Sequence, residues 1–583
     1  MSLASSTLAP PAPRRVGFHI SGETILWLVL AVFVIVITIL PLAYTIDTAF
    51  YQETPFGLSP RRSMAAIINV YTSPRYLGYL ANALMLASVV TTLALSVGIV
   101  MAFLVARTDV PGRRFLDVFI IMPLFLSPFT GLIAWIVLGS ENTGFVNAIL
   151  VALGGRIGLE IEPVINIWSY AGIVWVMFLF FTPFAYLFTV NNLRQMDSSL
   201  EEAARICGAT PMQAIFKVTV PIMTPAFFAA GLLIFVLSAE VYTIPGIIGS
   251  TTGFTTLPWQ IYIDSTVAPL HRAHAAAAGT VLLWVTIGGI LIQRRITRVA
   301  ERFVTVGGKG QRAKPIVLGG WRWAALGFIL LYGFAAVILP LTALVIFSLM
   351  KFSSIVLTAD LFTLKHYSDL FSIGNTRLAL RNTLMLGLLS GAICMLAGAL
   401  ISYMEMRRKT RLASIVAFIG VLPVAVPGLV YGIGLLWTYL RTPIYGTVWI
   451  LLLAYVAKFI PYAIVVSRSG ILQLNRELEE SARMSGASAL TALRKIVMPI
   501  LKPTLVAIFF FVMLMSIKEL SASVLLASQR GPVLSVLTWS YMESGNFQFA
   551  AAVGVVQSAI MVALVVVTRL AFRVNLEKSF AKG

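Results

Sequence analysis

The sequence predicts an all-α polytopic membrane protein, made of two tandem six-helix halves related by a pseudo-two-fold axis along the membrane normal. Three observations lead there. Of the 583 residues, 59% are hydrophobic and only 11% are charged, whereas soluble domains carry roughly a quarter charged residues. Apolar runs of about 20 residues recur, each long enough to cross ~30 Å of hydrocarbon, unlike the alternating ~10-residue segments of a β-barrel. Finally, the chain repeats itself: ANALML at 81–86 returns as RNTLML at 381–386, and EEAARICGAT at 201–210 returns as EESARMSGAS at 479–488.

The first element, residues 1–24, is Pro- and Ser-rich and carries Arg14 and Arg15. It reads as a disordered cytoplasmic tail. The apolar run that follows, near 25–47, exceeds the ~7–15-residue core of a signal peptide, so it is expected to be a retained first span. Further spans are expected near 81–106, 116–138, 168–190, 226–248 and 275–293, completing the first half at 25–293. A linker at 294–322 holds Arg294, Arg295, Arg298, Arg302, Lys309, Arg312, Lys314 and Arg322. The second half, 323–573, repeats the pattern near 323–349, 382–404, 412–437, 446–467, 504–526 and 549–571, and residues 574–583 form a second cytoplasmic tail.

Six spans per half is an even number, so both halves enter the membrane in the same sense. This is a parallel repeat, unlike the inverted repeats of many secondary transporters. Its early part runs at an offset of 300 residues, which also relates Pro123 to Pro423. Its late part runs at 278, relating Pro221 to Pro499 and Pro225 to Pro503. The difference places about 22 extra residues in an outer loop between the third and fourth spans of the first half.

The net charge of +20 does not imply nucleic-acid binding. With these spans, 29 of the 43 Lys and Arg fall on one side, 11 on the other, and Lys458, Lys518 and Arg569 within spans. Such a bias orients a membrane protein with its positive side, and here both termini, in the cytoplasm. GGKG at 307–310 lacks the spacing and the Ser or Thr of a phosphate-binding loop. Cys207 and Cys394, one in a loop and one in a span, form no motif or disulfide.

The repeated polar loops read as two short helices separated by a glycine turn. Ser198 with Glu201, and Ser199 with Glu202, have capping-box spacing. Asn475 can cap the second copy, with Glu477, Glu479 and Glu480 opposing the positive end of its helix dipole. Gly208 and Gly486 stand where a left-handed stop is needed. Thr210 and Ser488 would cap the next helix, and Pro221 and Pro499 are expected to end it. Small residues, Ala203, Ala204 and Ala209 against Ser481, Ala482 and Ala487, leave a face another protein can approach closely. A plain connector has no reason to keep its Glu, Ala, Arg and Gly at one spacing in both halves, so these loops read as docking elements.

The pattern resembles the signature of permease subunits of binding-protein-dependent ATP-driven importers: E-A-A, three residues, G, nine residues, I-x-L-P. The first copy has Glu202-Ala203-Ala204, Gly208 and Val218-Thr219-Val220-Pro221. The second has Glu480-Ser481-Ala482, Gly486 and Ile496-Val497-Met498-Pro499. The resemblance covers about 81 to 571 and implies a type I ABC importer transmembrane domain in a bacterial inner membrane. It implies two ATPase subunits docked on Glu201, Glu202, Ala203, Ala204 and Gly208, and on Glu479, Glu480, Ser481, Ala482 and Gly486. It also implies a soluble substrate-binding protein on the outer face. The chain itself then needs no catalytic residue, metal or cofactor; ATP and Mg belong to the partner ATPase.

Fusion of two halves in one chain resembles the ferric iron permeases, as does KELSASVLLAS at 518–528, although Ser521 stands where that family usually has Pro. Ferric iron is therefore the expected substrate, with thiamine, polyamine, phosphonate and sulfate as alternatives. An ion-coupled secondary transporter is the alternative class, but it would not require the docking loops. Carboxylates within spans are costly and usually functional. Glu240 and Glu519, one position apart when the halves are aligned, are candidates for a cation path; the competing reading pairs Glu519 with Lys518 or Lys458. His271 and His274 have i,i+3 spacing in an outer loop, with no third metal ligand nearby in sequence. They read by default as solvated.

Overall fold

The computed structural model describes residues 22–54, 57–196, 199–300, 315–356, 358–408 and 410–572. Both expected tails, except at the edge of the first span, lie outside these residues, as do Ser198 and the middle of the linker. Ten described helices are long and apolar enough to cross a membrane: Trp27–Thr48, Pro74–Arg107, Tyr170–Arg194, Met212–Glu240, Arg272–Ile292, Trp321–Ser348, Gly374–Arg407, Val448–Leu472, Leu493–Ile517 and Phe547–Thr568. Two more spans are broken pairs. Arg113–Phe125 meets Pro128–Gly139 at 95°, and Arg411–Ala425 meets Gly428–Tyr439 at 115°. Spans are numbered one to twelve below, each broken pair counting as one.

The third and ninth spans therefore differ from the straight helices expected at 116–138 and 412–437. Proline explains the difference. Each first segment tightens into a 3₁₀ turn, Met122–Phe125 or Leu422–Ala425, with Pro123 or Pro423 near its start. The chain then extends: Leu126 and Ser127 have ψ near 151° and 128°, and Val426 and Pro427 near 120° and 135°. The helical region is disfavoured for a residue before proline, and Ser127 and Val426, each directly before a proline, are extended.

Other prolines are absorbed without a break. Four π-turns, Ile35–Ile39, Ile215–Thr219, Phe334–Ile338 and Leu493–Val497, each end two residues before a proline: Pro41, Pro221, Pro340 and Pro499. The N–H just ahead of each proline reaches back five residues, as from Val220 to the Ile215 carbonyl. This wider turn makes room for a ring that would clash with the carbonyl four residues back. Pro221 and Pro499 thus carry the helix from the polar loop into the fifth and eleventh spans instead of ending it.

Those two spans also stop earlier than expected. The fifth ends at Glu240 instead of 248, followed by helices Thr243–Thr252 and Leu257–Thr266. The eleventh ends at Ile517 instead of 526, followed by Ser523–Leu526 and Leu534–Glu543. The extra outer loop holds a helix, Phe145–Arg156. Buried Asn147 organises it, donating to the carbonyls of Ser140, Glu141 and Ile165 and accepting from the Val164 and Ile165 N–H groups. Between spans one and two an antiparallel hairpin forms from β1 (Tyr51–Thr54) and β2 (Gly57–Arg62).

Within each half, span two packs on span four, and span eight on span ten. The contact repeats in detail: a Cβ on Gly98 would lie 2.4 Å from Ala185 Cβ, and one on Gly398 would lie 2.6 Å from Ala463 Cβ. Such close approach needs small residues, since lipid offers no hydrophobic force to press helices together. Between halves, the first span of each crosses over. Span one packs on the broken ninth span and span seven on the broken third. Tyr439 Oη donates to the Val36 carbonyl at 3.2 Å, and Tyr332 Oη to the Leu179 carbonyl at 2.8 Å.

Candidate functional site: paired loops and a central charge cluster

The polar loops form helices at Ser199–Ile206 and Glu477–Met484. Each stops at its glycine, Gly208 with φ of 89° and Gly486 with φ of 84°. Beyond the stop, Ala209 N–H bonds the Ala204 carbonyl and Ala487 N–H bonds the Ala482 carbonyl, both at 3.0 Å. This six-to-one bond belongs to a Schellman ending, and it needs a left-handed residue that glycine supplies without a steric penalty. Thr210 caps the following turn reciprocally with Gln213, and Ser488 accepts from the Thr491 N–H. Asn475 accepts from the Glu477 N–H at 3.2 Å.

The two glutamates in each loop have different surroundings. Glu201 pairs with Arg107 and accepts from Thr219. Glu479 pairs with Arg407 at 2.7 Å and accepts from Tyr403 Oη at 3.1 Å. Arg107 and Arg407, at the ends of spans two and eight, are related by the 300 offset, while their partners are related by 278. The same ion pair is therefore built twice, and it ties each loop to its own half. Glu202 and Glu480, by contrast, are exposed, as are Ala203, Ser481, Gly208 and Gly486, while Ala204 and Ala482 are half-buried. Two large apolar side chains complete each exposed face: Leu200 and Ile206 in the first loop, Leu478 and Met484 in the second. Ile206 is 87% exposed and Met484 89%. An apolar residue so placed at the same position of a repeat is unusual on a water-facing helix and fits a covered surface.

A second constellation lies where the halves meet. Glu519, just past the end of span eleven, is buried and accepts from Lys458 Nζ at 2.8 Å and from the Ala522 N–H at 3.0 Å. Lys458 Nζ also fills the space at Gly428, where a Cβ would lie 2.6 Å from it. Lys518 Nζ donates at 2.7 Å to the Leu124 carbonyl, in the 3₁₀ turn of the broken third span. Glu240, at the end of span five, lies within electrostatic range of Lys458 and Glu519 and is half-buried. Among the described residues nothing hydrogen-bonds its carboxylate. The structure thus brings Glu240 and Glu519 together across the halves, but Glu519 is engaged with Lys458. Buried aromatic rings from both halves, Phe129, Tyr242, Tyr262 and Trp539, cluster nearby with contacting centroids 5.2 to 6.0 Å apart, Tyr242 and Tyr262 stacked and the other pairs tilted or edge-on.

The family described as the binding-protein-dependent transport system inner membrane component matches residues 94–303 and 384–582, more than half the chain, with one match in each half. The chain belongs to this family. As a permease it is similar over most of its length to the Fe(3+)-transport system permease protein FbpB 2 of Haemophilus influenzae, 25% identical over 93% of this chain and 95% of that one. It is also similar to the ferric transport system permease protein FbpB of Actinobacillus pleuropneumoniae, 25% identical over 83% of this chain and 70% of that one. A third relative, the putative 2-aminoethylphosphonate transport system permease protein PhnU of Salmonella typhimurium, is 31% identical over 41% of this permease and 80% of its own length.

Sequence reasoning missed Arg107 and Arg407 as loop partners, although both sit at positions the 300 offset makes equivalent. It also missed Ile206 and Met484, equivalent at 278. Removing one member of a buried ion pair leaves an uncompensated charge and typically costs about 3–5 kcal/mol. Arg407→Ala and Glu479→Ala should therefore each lower the melting temperature of the purified permease. Exchanging the two residues, Arg407→Glu with Glu479→Arg, should recover part of the loss. If either single change leaves the melting temperature unaltered, the pair does not anchor the loop.

Proposed function

We propose that this permease is the membrane-spanning subunit of an ATP-driven importer, receiving substrate from a soluble binding protein outside and passing it inward as partner subunits hydrolyse ATP. The observation that carries the reading is the pair of equivalent loops, each anchored through its first glutamate and presenting its second with an exposed apolar tip. Two such surfaces call for two ATPase subunits. The charge bias of the loops supports a cytoplasmic position for both surfaces and both termini, in a bacterial inner membrane. Ile206→Asp with Met484→Asp should abolish co-purification of the ATPase; a central apolar anchor is commonly worth at least ~2 kcal/mol, about 30-fold in affinity. Both side chains are exposed, so the melting temperature of the permease should hold. Undiminished co-purification would remove the docking assignment.

The substrate we infer is ferric iron. The names of the two long relatives support this, and so does the carboxylate of Glu240 at the junction of the halves. Ferric ion is hard and prefers oxygen ligands, by extension of the rule for hard cations. Glu240→Gln should leave expression and ATPase association intact while reducing uptake of labelled iron by about tenfold, the scale on which metal sites respond to loss of a contact. Glu519→Gln should instead reduce the amount of folded protein, because it orphans Lys458. Normal iron uptake by the Glu240→Gln permease would refute the pathway role, and uptake of 2-aminoethylphosphonate in place of iron would refute the substrate.

A further inference from the structure

The fold supplies a third ligand to the histidine pair of the outer loop. Glu53 projects from β1, and its Oε2 lies 2.7 Å from His274 Nδ1 and 3.2 Å from His271 Nδ1. The three ligand atoms all lie within 4.8 Å of one another. The other carboxylate oxygen, Oε1, accepts the backbone N–H groups of Ala273 and His274, at the start of span six. That anchoring leaves Oε2 aimed between the two rings. Burial would raise the Glu53 carboxyl, but the hydrogen bonds from His274 and His271 outweigh it and hold the group below the usual carboxylate range.

The surroundings order the backbone that carries the rings, and one ring directly. Tyr76 stacks on His274 with a centroid separation of 6.2 Å and donates to Asp264 Oδ2 at 2.9 Å. The backbone N–H of His271 bonds the backbone carbonyl of Asp264 at 2.9 Å, and Gln260 donates to the other Asp264 carboxylate oxygen at 2.7 Å. His271 is half-exposed, which leaves a route for an ion and room for a water in a fourth position.

We propose that Glu53, His271 and His274 form a binding site for a divalent first-row transition metal, with Zn²⁺ as the simplest occupant. Two imidazoles with one carboxylate and an open position is a donor set that zinc takes. It is a poor set for ferric iron, which favours oxygen, and the proposal does not rest on the assignment of iron as substrate. Bonds of ~2.0–2.1 Å in a tetrahedron place ligand atoms ~3.3–3.4 Å apart. Oε2 lies 2.7 Å from His274 Nδ1 and 3.2 Å from His271 Nδ1, so an ion would push the first pair apart by roughly 0.6–0.7 Å and the second by roughly 0.1–0.2 Å, and the proton that each Nδ1 offers Glu53 would have to leave or move to Nε2. Once bound, the ion would fasten the β1–β2 hairpin to the start of span six, fixing the outer end of the first half.

The test uses the full-length permease, purified through a tag without histidine, stripped with a chelator, and titrated with Zn²⁺ by calorimetry and with Co²⁺ by visible absorption. His366, whose Nε2 bonds the Met350 carbonyl away from this site, provides a control. The permease and its His366→Ala variant should bind one Zn²⁺ per chain and show the absorption of four-coordinate Co²⁺. His271→Ala and Glu53→Gln should each weaken Zn²⁺ binding ~100-fold or more, at least the upper end of what loss of an outer partner does. His271 is exposed enough that its removal spares the fold, so that variant decides the matter even if Glu53→Gln is unstable. Absence of one-to-one binding by the unmodified chain, or equal affinity in the His271→Ala variant, would overturn the proposal and leave the cluster as a hydrogen-bonded tie.

Discussion

In hydrocarbon, every backbone N–H and carbonyl must find its partner inside the protein. This permease places prolines at repeated positions along its spans, and each one withdraws a donor. Where the chain can widen into a π-turn, as before Pro41, Pro221, Pro340 and Pro499, the helix carries on. Where it cannot, at Pro128 and Pro427, the span breaks and turns by 95° or 115°. The broken segments bring polar backbone to the junction of the halves, and charged side chains gather there. Lys518 satisfies a carbonyl of the broken third span, and the Lys458–Glu519 pair packs against the broken ninth. A polar centre in an apolar protein thus follows from where proline interrupts the helices. Glu240 inherits that environment without a hydrogen-bonding partner of its own among the described residues.

The repeat works differently at the loops. Here the same arrangement arises twice, a short helix held in place with one face left free. A helix of eight residues is too short to be stable alone. Each loop therefore borrows stability from the end of span two or eight through its Arg–Glu pair, and each stops at a left-handed glycine. The third partner differs between halves, Thr219 in one and Tyr403 in the other, so the ion pair persists while its surroundings have drifted. The exchange of spans one and seven between halves ties the two halves to each other.

Much of this was legible in the chain. Hydropathy and the two offsets read out the class, the parallel halves and the loops. The glycine stops and the caps at Thr210, Asn475 and Ser488 followed from local chemistry that acts within a few residues. What stayed hidden acts over long separations. Arg107 meets Glu201 94 residues away, and Glu53 meets His274 221 residues away. No local pattern marks such pairs, although aligning the repeat at both offsets would have exposed the arginines. The breaks were hidden because hydropathy runs on unbroken through Pro128 and Pro427, and only backbone geometry separates a π-turn from a kink. The competing assignment of Glu519 to Lys458, raised from sequence, is the arrangement found.

One docking surface per half is the central claim, and the chain carries its own probe for it. Cys207 is exposed beside Ile206, whereas Cys394 is buried. Its counterpart in the second loop, by the 278 offset, is the exposed Ser485. The rate of thiol labelling should be measured with and without bound ATPase, at Cys207 in the native chain and at position 485 in a Cys207→Ser, Ser485→Cys chain. The account predicts that both positions are labelled in the free permease and that both are protected in the complex. Protection of one position only, or of neither, would contradict it.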